Sequence, residues 1–242
     1  MTKAFWNKEY ANPTHLKMST LPASDMETFA KWAERNAEWP PFPQGGLVLD
    51  VGCGNGRNLI HLCSTHNMRG YGFDISSTAI EQAKKMADTI TRADGAALGK
   101  HLTFKAQGAA DPIDLPDQSV AVALDMMSSH FLRADERKKY VKELARVMQP
   151  YGWFFFKTFV LEGDVHAKRL VSEHKDPQGE ENSYIHPRIG VYEHIWTEEE
   201  IAEVFRPYFK IFKMMKSYKH VRDNKAYKRR TVSVYMERLK EE

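Results

Sequence analysis

The sequence predicts an α/β fold: a doubly wound seven-stranded sheet, mostly parallel, with an antiparallel last strand and a cap inserted after the fifth strand. Three observations point there. From Leu47 onward, short apolar runs alternate with helical stretches, the pattern of a parallel sheet covered on both faces. The first run, Leu47-Val48-Leu49-Asp50-Val51, passes straight into Gly52-Cys53-Gly54-Asn55-Gly56-Arg57, three glycines spaced two apart. After the fifth run the pattern stops, and 161–196 becomes rich in His, Glu, Asp, Lys and Pro, which is unusual inside one domain unless the segment is functional or disordered; leaving from the carboxyl end of a strand, it reads as the substrate cap.

The elements follow in chain order. Phe5-Trp6-Asn7-Lys8-Glu9-Tyr10 opens the chain, and an amphipathic helix runs from about Asp25 to Glu38, capped by Ser24 or Asp25 and ended by Pro40, Pro41 and Pro43. Strands fall at 47–51, 69–73, 102–106, 120–124 and 153–159. Between them lie a helix beginning near Arg57, one from about Ser77 to Arg92 capped by Ser76, and one from Asp135 to Met148. Thr197-Glu198-Glu199-Glu200 is a capping box opening a helix to about Phe205. Tyr208 to Tyr218 and Thr231 to Arg238 are the last two strands, an antiparallel hairpin that closes the sheet.

The glycine turn has a chemical reading. Glycine is required where the backbone takes positive φ or approaches a ligand that a Cβ would exclude, and the helix behind it offers unpaired N–H groups. A dinucleotide loop would place its third glycine one position later, where this chain has Arg57. About twenty residues on, the second strand ends at Asp74, where a carboxylate can hold a ribose diol.

With those residues in place, the chain resembles the class I S-adenosylmethionine-dependent methyltransferases, whose fold is Rossmann-like. The resemblance covers roughly 42–159 well and the ends in outline. It implies that Asp50 to Gly56 wraps the methionine part of the donor and that Asp74 binds the ribose hydroxyls. Lys105 to Asp111, then Leu115-Pro116-Asp117-Gln118-Ser119 before Val120, resemble the third and fourth strands with their adenine loop. Many members carry an acidic residue there, in a Gly-Asp-Ala pattern. This chain reads Gln107-Gly108-Ala109, which leaves adenine to backbone groups, to Gln107 or to a nearby Asp. Leu144 to Phe156 resembles the family's helix, Pro-Gly turn and fifth strand, with Tyr151 where a first glycine often sits. The donor-binding set implied is Trp6, Tyr10, Asp50, Gly52, Cys53, Gly54, Arg57, Asp74, Ile75, Gln107, Gly108, Ala109, Asp125 and Met126. The donor would be S-adenosyl-L-methionine and the product S-adenosyl-L-homocysteine.

Methyl transfer from a sulfonium asks for alignment, exclusion of water and, for some acceptors, a base. His130 is the base candidate because Asp125 to Phe131 follows the fourth strand; the alternative is that it packs under the cap. Trp6 and Tyr10 either close over the methionine end or are core contacts of a tethered arm.

At 242 residues and 42% hydrophobic content the chain is expected to form one domain: an N-terminal arm and helix over 1–43, a cofactor core over 44–160, the cap over 161–196, and a C-terminal helix and hairpin over 197–242. A net charge of +3 does not demand a nucleic-acid partner. Lys216, Lys219, His220, Arg222, Lys225, Lys228, Arg229 and Arg230, interleaved with Tyr218 and Tyr227, read either as a solvated hairpin rim with sheet-packing tyrosines or as a nucleic-acid contact. Two cysteines, Cys53 and Cys63, suit a reducing cytoplasm rather than a disulfide framework. No run approaches a signal core or a membrane span. No metal site is expected, since His61 and His66 beside Cys63 match no standard spacing and His166, His174, His186 and His194 are scattered. An Asn-Pro-Pro-Tyr type motif is absent at Asp125-Met126-Met127-Ser128, which disfavours base amino methylation. The size and the segment after the fifth strand resemble the small-molecule branches, including the type 11 and tellurite-resistance groups. A nucleic-acid-modifying enzyme is the second reading, and a non-catalytic cofactor-binding partner protein the third.

Overall fold

Trp153, Phe154, Phe155 and Phe156 are four successive buried aromatics, and only a strand covered on both faces can bury such a run. In the computed structural model, which describes residues 3–16, 18–92, 95–217, 221–222, 225–226 and 229–240, that run lies in β5 (Met148–Phe159). Alternate side chains enter opposite cores: Phe154 and Phe156 join Leu49, Val51, Trp196 and Phe205 on one face. Trp153 and Phe155 join Phe29, Val48, Leu59 and Tyr235 on the other. Each fully buried large apolar side chain contributes roughly 1.5–3 kcal/mol, so this strand is the best-anchored element of the sheet.

The remaining elements are α1 (Lys3–Ala11), α2 (Ser24–Asn36), β1 (Leu47–Val51), α3 (Arg57–His66), β2 (Arg69–Asp74), α4 (Ser77–Asp88), β3 (Leu102–Ala106), β4 (Val120–Met126), α5 (Ala134–Val147), α6 (Val165–Glu173), β6 (Ser183–Ile185), β7 (Tyr192–His194), α7 (Glu198–Phe205), β8 (Phe209–Lys216), β9 (Val221–Arg222), β10 (Lys225–Ala226) and β11 (Thr231–Arg238). The main sheet has the order β3-β2-β1-β4-β5-β11-β8. Its first five strands are parallel, and β11 runs antiparallel between β5 and β8. The seven-stranded, mostly parallel architecture read from the sequence is therefore the one observed, and β1 through β4 end at one edge, where loops can gather a ligand.

Several boundaries differ for local reasons. α2 begins at Ser24 and ends at Asn36, and neither Ser24 nor Asp25 is its cap. Ala23 holds the cap position, where its methyl offers no acceptor, and its own N–H donates to Asn58 Oδ1 at 2.9 Å. The helix still buries Met26, Phe29, Ala30 and Ala33, the i, i+3, i+4, i+7 stripe of an amphipathic helix. α4 stops at Asp88, short of Arg92, where the chain turns back and Leu98 N–H bonds Ile90 O at 2.9 Å. β5 starts five residues before 153, at Met148, and Tyr151 takes φ +64 in the turn where a glycine is usual. The segment 161–196 is also more regular than its composition suggests. Asp164 caps α6 by accepting the Ala167 N–H at 2.9 Å, and β6 pairs antiparallel with β7.

Candidate functional site

The glycine turn sits at the carboxyl edge of β1, and each glycine has its own neighbour. At Gly52 (φ +67) an added Cβ would lie 2.2 Å from Ser128 Oγ; at Gly54 (φ +55) it would lie 2.4 Å from the Tyr10 hydroxyl. Gly56 (φ +77) precedes α3 and presses against Ala83 and Phe104, so the third glycine is the one that packs helix against sheet. The first two thus hold the loop after β4 and the N-terminal helix close to the turn.

Asp74 closes β2 with both carboxylate oxygens anchored: Oδ2 accepts the Gly54 N–H at 3.0 Å and Oδ1 the Ser76 N–H at 2.8 Å. Each oxygen keeps a further lone pair for a ligand. Burial raises the pKa of this carboxyl, against the two backbone bonds that lower it. On the β3 side, Gly108 N–H bonds Asp111 Oδ2 at 2.9 Å and Gln107 Nε2 donates to Pro112 O at 3.1 Å, which brings an acidic group into the Gln107-Gly108-Ala109 loop.

The N-terminal segment covers this edge. Asn7 Oδ1 accepts from Ser76 Oγ at 2.8 Å and Thr78 N–H at 3.3 Å, and Gln82 Nε2 donates to Tyr10 O at 2.8 Å, which pins α1 on α4. At its other side Trp6 meets Phe131, ring centroids 5.1 Å apart. Buried Glu9 gathers the N–H groups of Thr14, His15 and Leu16 and the Thr14 hydroxyl; burial raises its pKa, but these bonds prevail and hold it at about 2. The following stretch is tied to α3 by Asn55 Nδ2 to Ser19 O (2.9 Å) and Arg57 Nη1 to Leu21 O (3.1 Å).

Together these parts enclose a cavity of about 760 Å³. Its wall includes Trp6, Tyr10, Gly52, Cys53, Gly54, Arg57, Asp74, Ile75, Gln107, Gly108, Ala109 and Met126, so the structure brings these sequence-derived candidates to one place. Three candidates are not on it. Asp50 and Asp125, 2% and 0% exposed, lie beneath the loops. Asp125 Oδ1 accepts the N–H groups of Ser128 and Ser129 at 3.1 and 3.3 Å and so shapes the turn after β4. Asp50 faces the Leu59 amide in the first turn of α3; burial, then the charges of Asp125 and Asp74, push its pKa to about 8. Burial likewise raises Asp125 to about 6.

His130, 2% exposed, is also off the wall. It packs between Phe131 and Phe159, at centroid distances of 3.9 and 5.1 Å, and its Nδ1 has no hydrogen-bond partner among the described residues. Burial, then the charges of Arg229 and His194, drive its pKa well below the usual imidazole range, a poor match for a proton acceptor. The geometry supports the packing alternative.

The expected cap is corrected too, since no residue of 161–196 lines the cavity. The segment forms its own small core around Ala167, Leu170, Tyr184 and Ile195 and buttresses the loop after β4 from behind. Arg133 reaches Asp176 with two bonds of 2.9 and 3.1 Å and lies over the Tyr192 ring at 4.3 Å; Arg137 pairs with Glu180 at 2.8 Å. Among the described residues no His, Cys, Asp and Glu cluster could hold a metal. Sequence reasoning missed Leu16, Met18, Ser19, Asn58, Phe131, Glu136 and Lys157, all on the wall. Only Lys157 carried a signal: it is the one charged residue in the aromatic run Trp153 to Phe159.

Comparison with known proteins agrees with this edge. Residues 48–152 match the family model described as a methyltransferase domain. The chain is 27% identical over 135 residues to 27-O-demethylrifamycin SV methyltransferase of Amycolatopsis mediterranei, a match covering 56% of this chain and 46% of that protein. It is 28% identical over 134 residues to tRNA (carboxymethyluridine(34)-5-O)-methyltransferase of Arabidopsis thaliana, covering 55% and 29%. The chain therefore spans less than half the length of these curated relatives. Among solved structures, a SAM-dependent methyltransferase from Methanosarcina mazei aligns with a TM-score of 0.69 at 22% identity, over 85% of this chain and 100% of the other. The fold is that of the class I S-adenosylmethionine-dependent methyltransferases. The cavity suits that donor: Asp74 offers ungiven lone pairs for a diol, and the Gly52 to Gly54 backbone forms a cradle that side chains would fill.

Proposed function

We propose that this chain, which carries a methyltransferase domain on the class I fold, transfers a methyl group from S-adenosylmethionine to a small-molecule acceptor. The observation that supports this best is Asp74, fixed through both oxygens by Gly54 and Ser76 and set in the same cavity as the glycine turn. When bound, the donor supplies a methyl group already activated on a sulfonium, so the chain's tasks are to bind, orient and exclude water. Asp74 accepts the ribose hydroxyls, and Gly52, Cys53 and Gly54 lie under the methionine part. The loop Gln107 to Asp111 takes adenine, with Asp111 as the acidic group. Trp6 against Phe131 joins the N-terminal helix to the turn after β4 and limits water on that side of the cavity. In this reading Asp50 and Asp125 shape the loops that hold the donor, and His130 packs behind them.

A tRNA-modifying relative keeps the nucleic-acid reading in view. Lys219, His220 and Lys228, with Tyr218 and Tyr227, lie outside the described residues. Of the rest of that basic cluster, Lys216 pairs with Glu198, Arg229 with Glu193, and Arg230 donates to Ser217 O at 3.0 Å and Glu162 O at 3.1 Å. Cations already engaged inside the fold are weak phosphate ligands, which favours the small molecule. No helix among the described residues is long and apolar enough to cross a membrane.

Calorimetry with S-adenosylhomocysteine and with a nicotinamide dinucleotide tests the donor; tight binding of the dinucleotide alone would overturn the reading. A screen with labelled methyl donor against cell metabolites and against RNA then tests the acceptor. Label is expected in the metabolite fraction. Label confined to RNA, with binding that weakens steeply as salt is raised, would select the alternative.

A further inference from the structure

We propose that Lys157 is the acceptor-binding cation of the cavity, and that the acceptor it receives is a small organic carboxylate. The assignment rests on the donor reading above and adds the chemical class of the second ligand.

Placement comes first. Asp74 ends β2, and the glycine turn ends β1; β4 and then β5 follow across the sheet. At about 4.8 Å per strand, β5 lies roughly 14 Å from β2. A donor held at Asp74 and over the glycine turn occupies the β2 and β1 positions, with the loop after β4 beside it. Lys157, which pairs in register with Met126 of β4, stands one strand further on and still lines the cavity. It therefore faces what lies beyond the donor.

The surroundings make this lysine expensive to keep. On the same face of β5 the preceding side chain, Phe155, is buried, and the Lys157 side chain is itself only 20% exposed, so its ammonium loses hydration that only a partner can replace. Asp25, in the first turn of α2, is that partner. Fastening α2 to the sheet does not require the pair, because Phe29 already stacks on Phe155 with centroids 5.1 Å apart. An ammonium has three N–H donors, and among the described residues Lys157 spends them on Asp25 alone. The Asp25 side chain is 43% exposed and sits at a helix N-terminus, so it can shift toward water without being stranded when a second carboxylate arrives.

The rest of that end of the cavity takes an organic body. Leu16, Met18, Met126 and Phe131 supply apolar wall. Of the other charges on the wall, Arg57 is turned to the cover, where it donates to Leu21 O, Glu136 Oε2 accepts the Arg133 N–H at 2.8 Å, and Lys3 is an exposed residue of α1 that keeps its hydration. An apolar wall around a largely desolvated ammonium with unused donors selects an apolar molecule with an anionic head.

The methionine carboxylate of the donor is the other possible source of that charge, and the experiment separates the two. Calorimetry measures S-adenosylhomocysteine and methylthioadenosine, which lacks the amino-acid part, on wild type and Lys157→Met. The proteins loaded with S-adenosylhomocysteine are then titrated with benzoate, phenylacetate and octanoate and with the matching primary amides. The expected result is an acid-over-amide preference of about tenfold or more in the wild type, lost in Lys157→Met and kept or increased in Asp25→Asn, where the competing carboxylate is gone. Binding of S-adenosylhomocysteine should stay within about threefold in both variants. The assignment fails if acids show no preference over amides, if none of the acids binds, or if the preference survives in Lys157→Met. It also fails if Lys157→Met weakens S-adenosylhomocysteine but not methylthioadenosine, because the lysine then serves the donor. Absence of any S-adenosylhomocysteine binding by folded wild type would instead sink the donor reading itself.

Discussion

Replacing Asp74 by Ala removes the one side chain that joins the glycine turn, the start of α4 and the proposed ribose site. The loss can be worked from its four interactions. Two bonds to ribose hydroxyls, each charge-assisted and worth about 1.5–3 kcal/mol, give roughly 3–6 kcal/mol, or two to four decades in Kd. The two bonds to Gly54 and Ser76 N–H, at 3.0 and 2.8 Å, act on the turn rather than on the ligand. Both amides face the hole the truncation leaves, so water can replace the carboxylate and the fold should survive. Calorimetry with S-adenosylhomocysteine is therefore expected to show a loss of at least about a hundredfold for a variant that still unfolds cooperatively. Asp74→Asn should fall between, since its NH2 group must point at Gly54 N–H, at Ser76 N–H or at the ligand. Burial raises the carboxyl above its ordinary range, so wild-type affinity should also decline earlier on acidification than an exposed aspartate would allow. A folded Asp74→Ala protein that keeps wild-type affinity within about threefold would refute the reasoning.

Three further outcomes are expected. Gly54→Ala places a methyl 2.4 Å from the Tyr10 hydroxyl, so it should weaken donor binding, and Tyr10→Phe in the same chain should restore part of the loss, the next ring atom being 3.3 Å away; a double variant no better than the single would show that φ +55, not the contact, is the obstacle. Arg133→Ala leaves the Asp176 carboxylate, with a side chain 0% exposed, buried without its cation, and should cost about 3–5 kcal/mol in urea unfolding. Asp176→Ala should cost less, because Arg133 is 31% exposed and can hydrate; equal losses would contradict this asymmetry. Asp50, raised to about 8 in the fold, binds its proton more tightly than in the unfolded chain, so the stability it contributes is full below about pH 4 and lost as pH rises toward 8. Asp50→Asn should thus gain on the wild type, in melting temperature without ligand, progressively from pH 4 to 8; a gap that stays constant would argue against the shift.

The donor half of the site was legible in the sequence because its chemistry is carried by backbone. Positive φ at Gly52, Gly54 and Gly56 and a carboxylate at a strand end leave a local signature that survives without knowledge of packing. The central strands β1, β4 and β5 were legible because a strand buried on both faces reads as a near-continuous apolar run, whereas β3, with only Phe104 buried, was placed by its position in the alternation of strands and helices. What could not be read was direction. Asp50 and Asp125 belong to the same runs as Gly52 and Met126, yet they point under the loops, and only the pairing of β1 with β4 decides that. His130 is three residues past Met127, close enough along the chain to be at the site, but the 3-10 turn Ser129–Phe131 puts Phe131 on the cavity and His130 behind it. The segment 161–196 was placed over the cavity because it leaves the right edge of the sheet. Its Asp176 and Glu180 are instead drawn back to Arg133 and Arg137, an attraction between residues some forty positions apart.

That exchange of roles has a consequence for recognition. The cover of the cavity comes from 3–23, a stretch with little apolar periodicity, held by Asn7, Glu9 and Tyr10 on one side and by Asn55, Arg57 and Asn58 on the other. All but Asn55 of those anchors belong to α1 or α3, and Asn55 lies in the glycine turn between β1 and α3, so the cover is organised by residues that frame the proposed donor site. The proposed acceptor end draws on side chains from separate elements: Leu16 and Met18 from the cover, Met126 from β4, Phe131 from the turn after it, Lys157 from β5. A donor site built on consecutive strand ends can be inherited whole, whereas an acceptor site assembled from scattered elements changes with any one of them. Similarity over 48–152 therefore covers the glycine turn, Asp74 and the Gln107 loop, and of the proposed acceptor-side residues it includes Met126 and Phe131 but not Leu16, Met18 or Lys157.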